Sequence, residues 1–360
     1  MGACVDNDVR LEAAQWAHIA DLASEQALSA IVLDGIARLS AEQAPPREVL
    51  LRLIAVTQRV EADNRHLNVV AAKATARLGR DGLPAVVLKG QGLAVLYPNP
   101  LHRTPGDIDL WVKGSRAQVV DYARRYSPNA RVLYHHVDFN VVPGAPIELH
   151  FIPSWMYQWP VNRRMQRFFE SCRAASLRNA VMLPEGAGAV AVPTITMNRV
   201  FILAHICRHL FTEGVGLRQL ADYYFVLRQP VTEVERAESL SALRRLHLYR
   251  LAGAVGYVLQ MVFGLDACYL PVPPSEERGR RLLREVLLAG NFGKYDTRIC
   301  HSAAEGSAVN FVRRVRRDLT FVADYPGEAL WSPVFKLWHY GWRRRNGYLR
   351  PLQKDMLTRV

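Results

Sequence analysis

The segment Leu88-Lys89-Gly90-Gln91-Gly92, with Asp107-Ile108-Asp109-Leu110 fifteen residues beyond it, constrains the fold more than any other feature of the chain. From Ala85 an apolar run stops at Gly90, and Gly92 to Tyr97 is apolar and compatible with a helix. The predicted order is strand, tight turn, helix. A glycine at such a turn lets backbone N–H groups and the positive end of a helix approach an anion closely. Asp107 and Asp109 are two apart, so on a strand they project from one face while Ile108, Leu110 and Val112 take the other. Two like charges side by side need a cation. The two motifs together point to phosphate chemistry with a metal, although a glycine turn or an Asp-x-Asp pair alone is common in other settings.

A third acid follows downstream. Ile147, Leu149 and Phe151 alternate with Glu148 and His150, which predicts a strand with one apolar and one polar face. The stretch from Arg131 to Val142 is β-rich, and Pro143-Gly144-Ala145-Pro146 supplies a turn, so the two runs should form a hairpin. That hairpin would lay Glu148 beside the aspartates. His150 shares the polar face of Glu148 and would reach either the water shell of a metal or a plain structural hydrogen bond. His135, His136 and Asp138 on the preceding strand are further candidates to line the site.

Leu88-Lys89-Gly90, Tyr97-Pro98, Arg103, Gly106-Asp107-Ile108-Asp109-Leu110 and Glu148-Leu149-His150 together resemble the largely uncharacterised bacterial nucleotidyltransferase family of the DNA polymerase β-like superfamily. His205 and His209, followed by Leu217-Arg218-Gln219-Leu220-Ala221-Asp222, are similar to its second helical motif. Gly290-Asn291-Phe292-Gly293-Lys294-Tyr295 looks like a segment near its end, so the resemblance covers roughly residues 50 to 300.

The resemblance implies a nucleotidyltransferase core holding two Mg²⁺ or Mn²⁺ ions on Asp107, Asp109 and Glu148. The implied reaction moves a nucleoside monophosphate from a nucleoside triphosphate, with ATP the expected donor, to a hydroxyl or phosphate acceptor with release of pyrophosphate. The acceptor would be a sugar, a small metabolite, a peptide or a protein; a nucleic acid is less favoured. Two metals suit that reaction because one activates the acceptor oxygen and the other offsets the leaving charge. Carboxylates plus substrate phosphates are a Mg²⁺ environment. Glu148 is also placed to accept the acceptor's proton.

One departure matters. The superfamily usually carries Gly-Ser or Gly-Gly after the first strand, and this chain has Gly90-Gln91, which moves the expected phosphate contact to the Lys89-Gly90 turn. A lysine ending a strand is also an ordinary solubilising residue. Arg103, in the loop from Pro98 to Pro105, would either clamp phosphate or stand as a solvated charge. His205 and His209 share a helix face, but Ile206 stands where a zinc protease needs Glu; they would pack between helices or form the wall of a substrate cleft. Arg218 and Asp222 have the spacing of a surface ion pair, and the resemblance makes them candidate binding residues.

These readings give an α+β fold: a helical region over 1–81, a small mixed-sheet core over 82–153, and a helical region with a basic tail over 154–360. The net charge of +13 raises a nucleic-acid acceptor, yet only six of the 46 basic residues are lysine, and arginine excess with abundant alanine fits a GC-rich genome. Arg313-Arg314, Arg316-Arg317 and Arg343-Arg344-Arg345 concentrate charge near Trp338 and Trp342, as a solvated face or a patch for an anionic partner. Five scattered cysteines argue for a reducing compartment. Met1 to Asp6 lacks a signal-peptide core, and Leu251 to Leu265 is short of the ~20 residues of a membrane span. A cytoplasmic protein is expected. Two other functions fit less of the pattern: a glycosyltransferase with its metal on Asp-x-Asp, and a catalytically silent nucleotide- or nucleic-acid-binding module.

Overall fold

A computed structural model describes residues 10–296 and 307–348; Cys4, Cys300 and the Met1–Asp6 sequence lie outside them. The helices α1 (Ala13–Glu25), α2 (Ser29–Ile36) and the long α3 (Arg47–Arg80) come first. β1 (Ala85–Val87), α4 (Gln91–Ala94), β2 (Ile108–Val112) and α5 (Arg116–Tyr126) follow, then the hairpin β3 (His136–Asp138) and β4 (Ile147–His150). After α6 (Trp159–Arg178) comes a second hairpin, β5 (Ala180–Leu183) and β6 (Gly188–Ala191). The rest of the described chain is helical: α7 (Ile195–Leu210), α8 (Leu217–Leu227), α9 (Glu233–Arg245), α10 (Tyr249–Phe263), α11 (Glu276–Ala289), α12 (Ser307–Leu319) and α13 (Pro326–Arg345).

The architecture is α+β with a small mixed sheet, as the sequence predicts. Four strands run in the order β1-β2-β4-β3, with β1 antiparallel to β2, β2 parallel to β4, and β4 antiparallel to β3. Alternation decides which way each residue faces. Val87, Ile108, Leu110, Ile147 and Leu149 join α3 and α5 in one apolar core. Val86, Leu88 and Trp111, on the opposite parity, join the second core built from α6, α7, α8 and α10. Asp109 shares the parity of Trp111, so the acid-bearing face is turned toward the helical layer.

Local signals explain the element ends. Ser115 caps α5 by accepting from Gln118 N at 3.3 Å, and Gln118 returns the bond to Ser115 N at 2.9 Å, a reciprocal capping box. Gly264 closes α10 in the left-handed region at φ +62°.

Two expectations need correction. The helix after the glycine turn is one turn only, and Gly92, Leu93 and Ala94 spend their N–H groups on the carbonyls of Lys89 and Gly90. Those groups are therefore unavailable to an anion, and so short a helix carries little dipole. The chain beyond residue 153 is not wholly helical, because β5 and β6 pair there and Leu183, Val190 and Val192 pack into the α3 side of the sheet core. The signal was the turn Pro184-Glu185-Gly186, in which Glu185 and Gly186 both take positive φ. No described helix is long and apolar enough to cross a membrane.

Candidate active site

Strand register assembles the acids. Parallel pairing sets Asp109 opposite Glu148, and the β3–β4 hairpin sets Asp138 opposite Glu148 and His136 opposite His150. Asp107 stands one residue before β2, and ligand oxygens of Asp107, Asp109 and Glu148 lie within 4.8 Å of one another. Leu88 N donates to Asp109 O at 2.9 Å, which holds the end of β1 against the acid strand. Gly90 then turns the chain at φ +59°, and a Cβ there would sit 3.3 Å from Asp107 O. The next side chain inward is Lys89. Its Nζ lies 3.0 Å from Asp107 Oδ1 and 2.8 Å from Asp109 Oδ2. Lys89 is thus an internal counter-ion and not a solubilising surface lysine.

Histidines complete the ring. His150 Nε2 is 2.8 Å from Asp109 Oδ1 and 3.1 Å from Glu148 Oε2, which His136 Nδ1 also approaches at 3.0 Å. Burial alone would raise the Asp109 pKa, but Lys89 and His150 outweigh it and hold the group well below the usual carboxylate range. Burial likewise disfavours the Lys89 ammonium, and Asp107, Asp109 and Glu148 overcome it to keep the group charged. For His150 burial is again opposed, here by hydrogen bonds to Asp109 and Glu148, and its pKa is raised to about 9. Three carboxylates therefore already gather positive charge. Asp109 Oδ2 is buried with the Lys89 ammonium at 2.8 Å, and the all-oxygen donor set of Asp107, Asp109 and Glu148 fits a hard divalent cation.

The residues expected to contact phosphate divide. Arg103 is buried and committed to Asp222 in a two-pronged pair, Nε to Oδ1 at 2.7 Å and Nη2 to Oδ2 at 2.8 Å, while Tyr97 Oη donates to the same carboxylate at 2.7 Å. That fork fixes Arg103 where it lines the cleft beside Lys89 and Asp107. Gln91 is buried too, and its Nε2 donates to Asn64 Oδ1 at 2.9 Å and Asn68 Oδ1 at 3.1 Å, fastening the turn to α3. Asn64 also holds the carbonyls of Leu101 and Arg103, at 2.7 and 2.8 Å. Asp222, expected beside Arg218 as a surface ion pair, instead serves Arg103. Arg218 is left with no carboxylate at ion-pair distance among the described residues.

Arg218 makes different contacts. Nη1 donates to the carbonyls of Thr104 and Pro105 at 3.0 and 3.1 Å, and Phe292 lies under the guanidinium at 4.9 Å. Burial and the nearby Arg103 charge draw its pKa down to about 10. Lys89, Gly90, Gly106, Asp107, His205 and Arg218 line one small cleft. His205 lines that cleft, its Nε2 meeting His209 Nε2 at 2.9 Å behind it, and His209 Nδ1 lies 3.2 Å from Glu213. The sequence alone did not bring out Asn64 and Asn68, which sit on a helix far from the motifs. Phe292 lies in the Gly290–Tyr295 segment, and its positive φ of 58° turns the loop over Arg218.

A family model described as an uncharacterised nucleotidyltransferase matches residues 12–264. It starts earlier than the resemblance read from motifs and stops before Gly290–Tyr295. Neither a curated protein nor a solved structure matches the chain.

Proposed function

The chain belongs to the uncharacterised nucleotidyltransferase family, and on that premise we propose that the cleft between the Lys89-Gly90 turn and helices α7 and α8 transfers a nucleoside monophosphate from a nucleoside triphosphate, ATP first among them. The acceptor is a hydroxyl or phosphate oxygen, which bonds to the α-phosphorus as the bond to the pyrophosphate oxygen breaks. The observation that carries this reading is the convergence of Asp107, Asp109 and Glu148 around one lysine.

Asp107, Asp109 and Glu148 would hold divalent cations, Mg²⁺ or Mn²⁺, which when bound activate the acceptor oxygen and neutralise the leaving pyrophosphate. Lys89 keeps the aspartates together and presents its charge at the cleft. Arg218, free of any carboxylate ion pair among the described residues, donates to the phosphates beside Gly106. Arg103, Asp222 and Tyr97 fix the loop on which Gly106 and Asp107 stand. The acceptor's proton passes to Glu148, whose side chain is 21% exposed where that of Asp109 is 1%.

Incubation of the protein with α-labelled ATP and Mg²⁺, against a panel of acceptors and cell extract, tests the reading through pyrophosphate release and a labelled product. Asp107→Asn with Asp109→Asn should lower the rate by roughly 10²–10³-fold or more. Turnover confined to sugar nucleotides, or an unchanged rate in the double variant, would overturn the proposal.

A further inference from the structure

Behind the three carboxylates lies a second donor set of a different chemical kind. His135, His136, Glu148 and His150 each offer a ligand atom, and all four atoms lie within 4.8 Å of one another. The inward-facing atoms are His135 Nε2, 2.9 Å from His136 Nδ1, together with Glu148 Oε2, which has His136 Nδ1 at 3.0 Å and His150 Nε2 at 3.1 Å. Three imidazoles and one carboxylate oxygen thus converge on one point of the sheet. His136 and His150 are buried at 3% and 4% exposure, so the group is enclosed.

The outward-facing nitrogens supply an independent argument. A histidine that ligates a metal normally directs its other ring nitrogen to a carboxylate or a backbone carbonyl, which fixes the ring and its tautomer. His136 Nε2 lies 3.3 Å from Asp138 Oδ1, and His150 Nδ1 lies 3.3 Å from Ile152 O. Ile152 O thus supports the His150 ring from behind, and His136 Nε2 lies at ion-pair distance from Asp138 without a directed hydrogen bond, each ring presenting its other nitrogen to the cluster. His135 stacks on Trp155 at 4.0 Å between ring centres, which orients the third ring.

We propose that His135, His136, His150 and Glu148 form a binding site for a first-row transition cation of borderline softness, such as Zn²⁺, distinct in ligand chemistry from the all-oxygen set of Asp107 and Asp109. Imidazole nitrogen favours these ions over Mg²⁺, which demands oxygen ligands. Glu148 belongs to both sets, so the inference refines the proposed nucleotide site and rests on that reading for the use of the ion, though not for its binding.

Co²⁺ is the probe, because its visible absorption reports nitrogen ligation and low coordination number. Full-length protein stripped with chelator and titrated without nucleotide should take up one equivalent of Co²⁺ with strong visible bands. Zn²⁺ should displace it, and a large excess of Mg²⁺ should not. His136→Gln should weaken binding, and Asp138→Asn, which removes the charge beside His136 Nε2 as well as the pair with Arg131, should weaken it by roughly tenfold or more. Asp107→Asn should leave the bands intact. The wild-type spectrum answers the question even if a histidine variant is unstable. Weak bands of an all-oxygen octahedral site, displacement by Mg²⁺, or loss of binding in Asp107→Asn but not in folded His136→Gln would overturn the proposal. Failure of nucleotide transfer with every metal would instead sink the proposed function and leave this site standing.

Discussion

Lys89 stands 3.0 Å from one aspartate and 2.8 Å from another, as the cation that two neighbouring carboxylates require. Removing one member of a buried charged group leaves the others uncompensated, typically at a cost of 3–5 kcal/mol. Lys89→Met should therefore lower the stability of the metal-free protein by about 3 kcal/mol. Mg²⁺ should raise the melting temperature of that variant more than that of the wild type. Equal metal-free melting curves would show that the ammonium is not needed there. Asp222→Asn should be costly for a related reason, since Arg103 would keep its charge in a buried site without its forked carboxylate partner. Burial works to raise the Asp222 pKa, but Arg103 and Tyr97 hold it below the ordinary aspartate value. A depressed acid contributes stability that is present above its unfolded pKa and lost as pH falls through the folded one. Acid unfolding of Asp222→Asn should thus show a shallower loss below about pH 4 than the wild type. The three acids were legible in the sequence because a strand's period of two and a hairpin turn are local signals. The pairing of Arg103 with Asp222, 119 residues apart, has no local signal, so the sequence did not show what holds Arg103 in place.

Among the elements, the turn after β1 carries the tightest backbone requirement. At Gly90, φ of +59° disfavours any side chain and a Cβ would press on Asp107 O at 3.3 Å; at Gly92 a Cβ would meet Val87 O at 2.9 Å. Gly90→Ala should cost about 1–3 kcal/mol in stability and lower nucleotide turnover further, because the displaced carbonyl belongs to an acid of the site. A thermal melt and a rate measured on the same preparation separate the two effects, and an unchanged turnover in a destabilised variant would detach the turn from the site. The strand, turn and following apolar segment were readable as types. The length of α4 was not, since its N–H groups close on Lys89 and Gly90 for reasons of local geometry that composition does not record. Helix α13 offers a pH-dependent test. Burial, aided by Arg343 and Arg116, lowers the His339 pKa from 6.5 to about 4, and its Nε2 is buried without a hydrogen-bond partner among the described residues. A histidine depressed in this way is neutral when folded, so its contribution is complete above the unfolded value and lost as pH falls from about 6.5 toward about 4. His339→Gln should narrow the difference in melting temperature between about pH 7.5 and about pH 5. An undiminished difference would assign the acid sensitivity elsewhere.

For the whole molecule, the question is whether the helices beyond the matched residues 12–264 are an appendage or part of the same core. The contacts argue for one core. Glu328 of α13 accepts from Tyr157 N at 2.9 Å and pairs with Arg208 of α7 at 3.1 Å, with both side chains 4% exposed. Arg208 lies 3.6 Å over the Tyr157 ring, and Phe335 packs edge-on against Tyr134 at 5.3 Å, just ahead of the histidines of β3. Arg116 of α5 sits over Trp342 at 4.9 Å, so this tryptophan of the basic C-terminal segment is used inside the molecule. Glu328→Gln would strand the Arg208 charge and should cost about 3 kcal/mol, with faster amide exchange at Tyr157 and Gln158. Removal of residues 307–360 should go further: besides stranding Arg208 it uncovers Tyr134 and Tyr157, and the shortened chain should melt earlier and less cooperatively. Retention of the wild-type melting curve by the shortened chain would mean that the matched portion folds by itself and that α13 only rests on it.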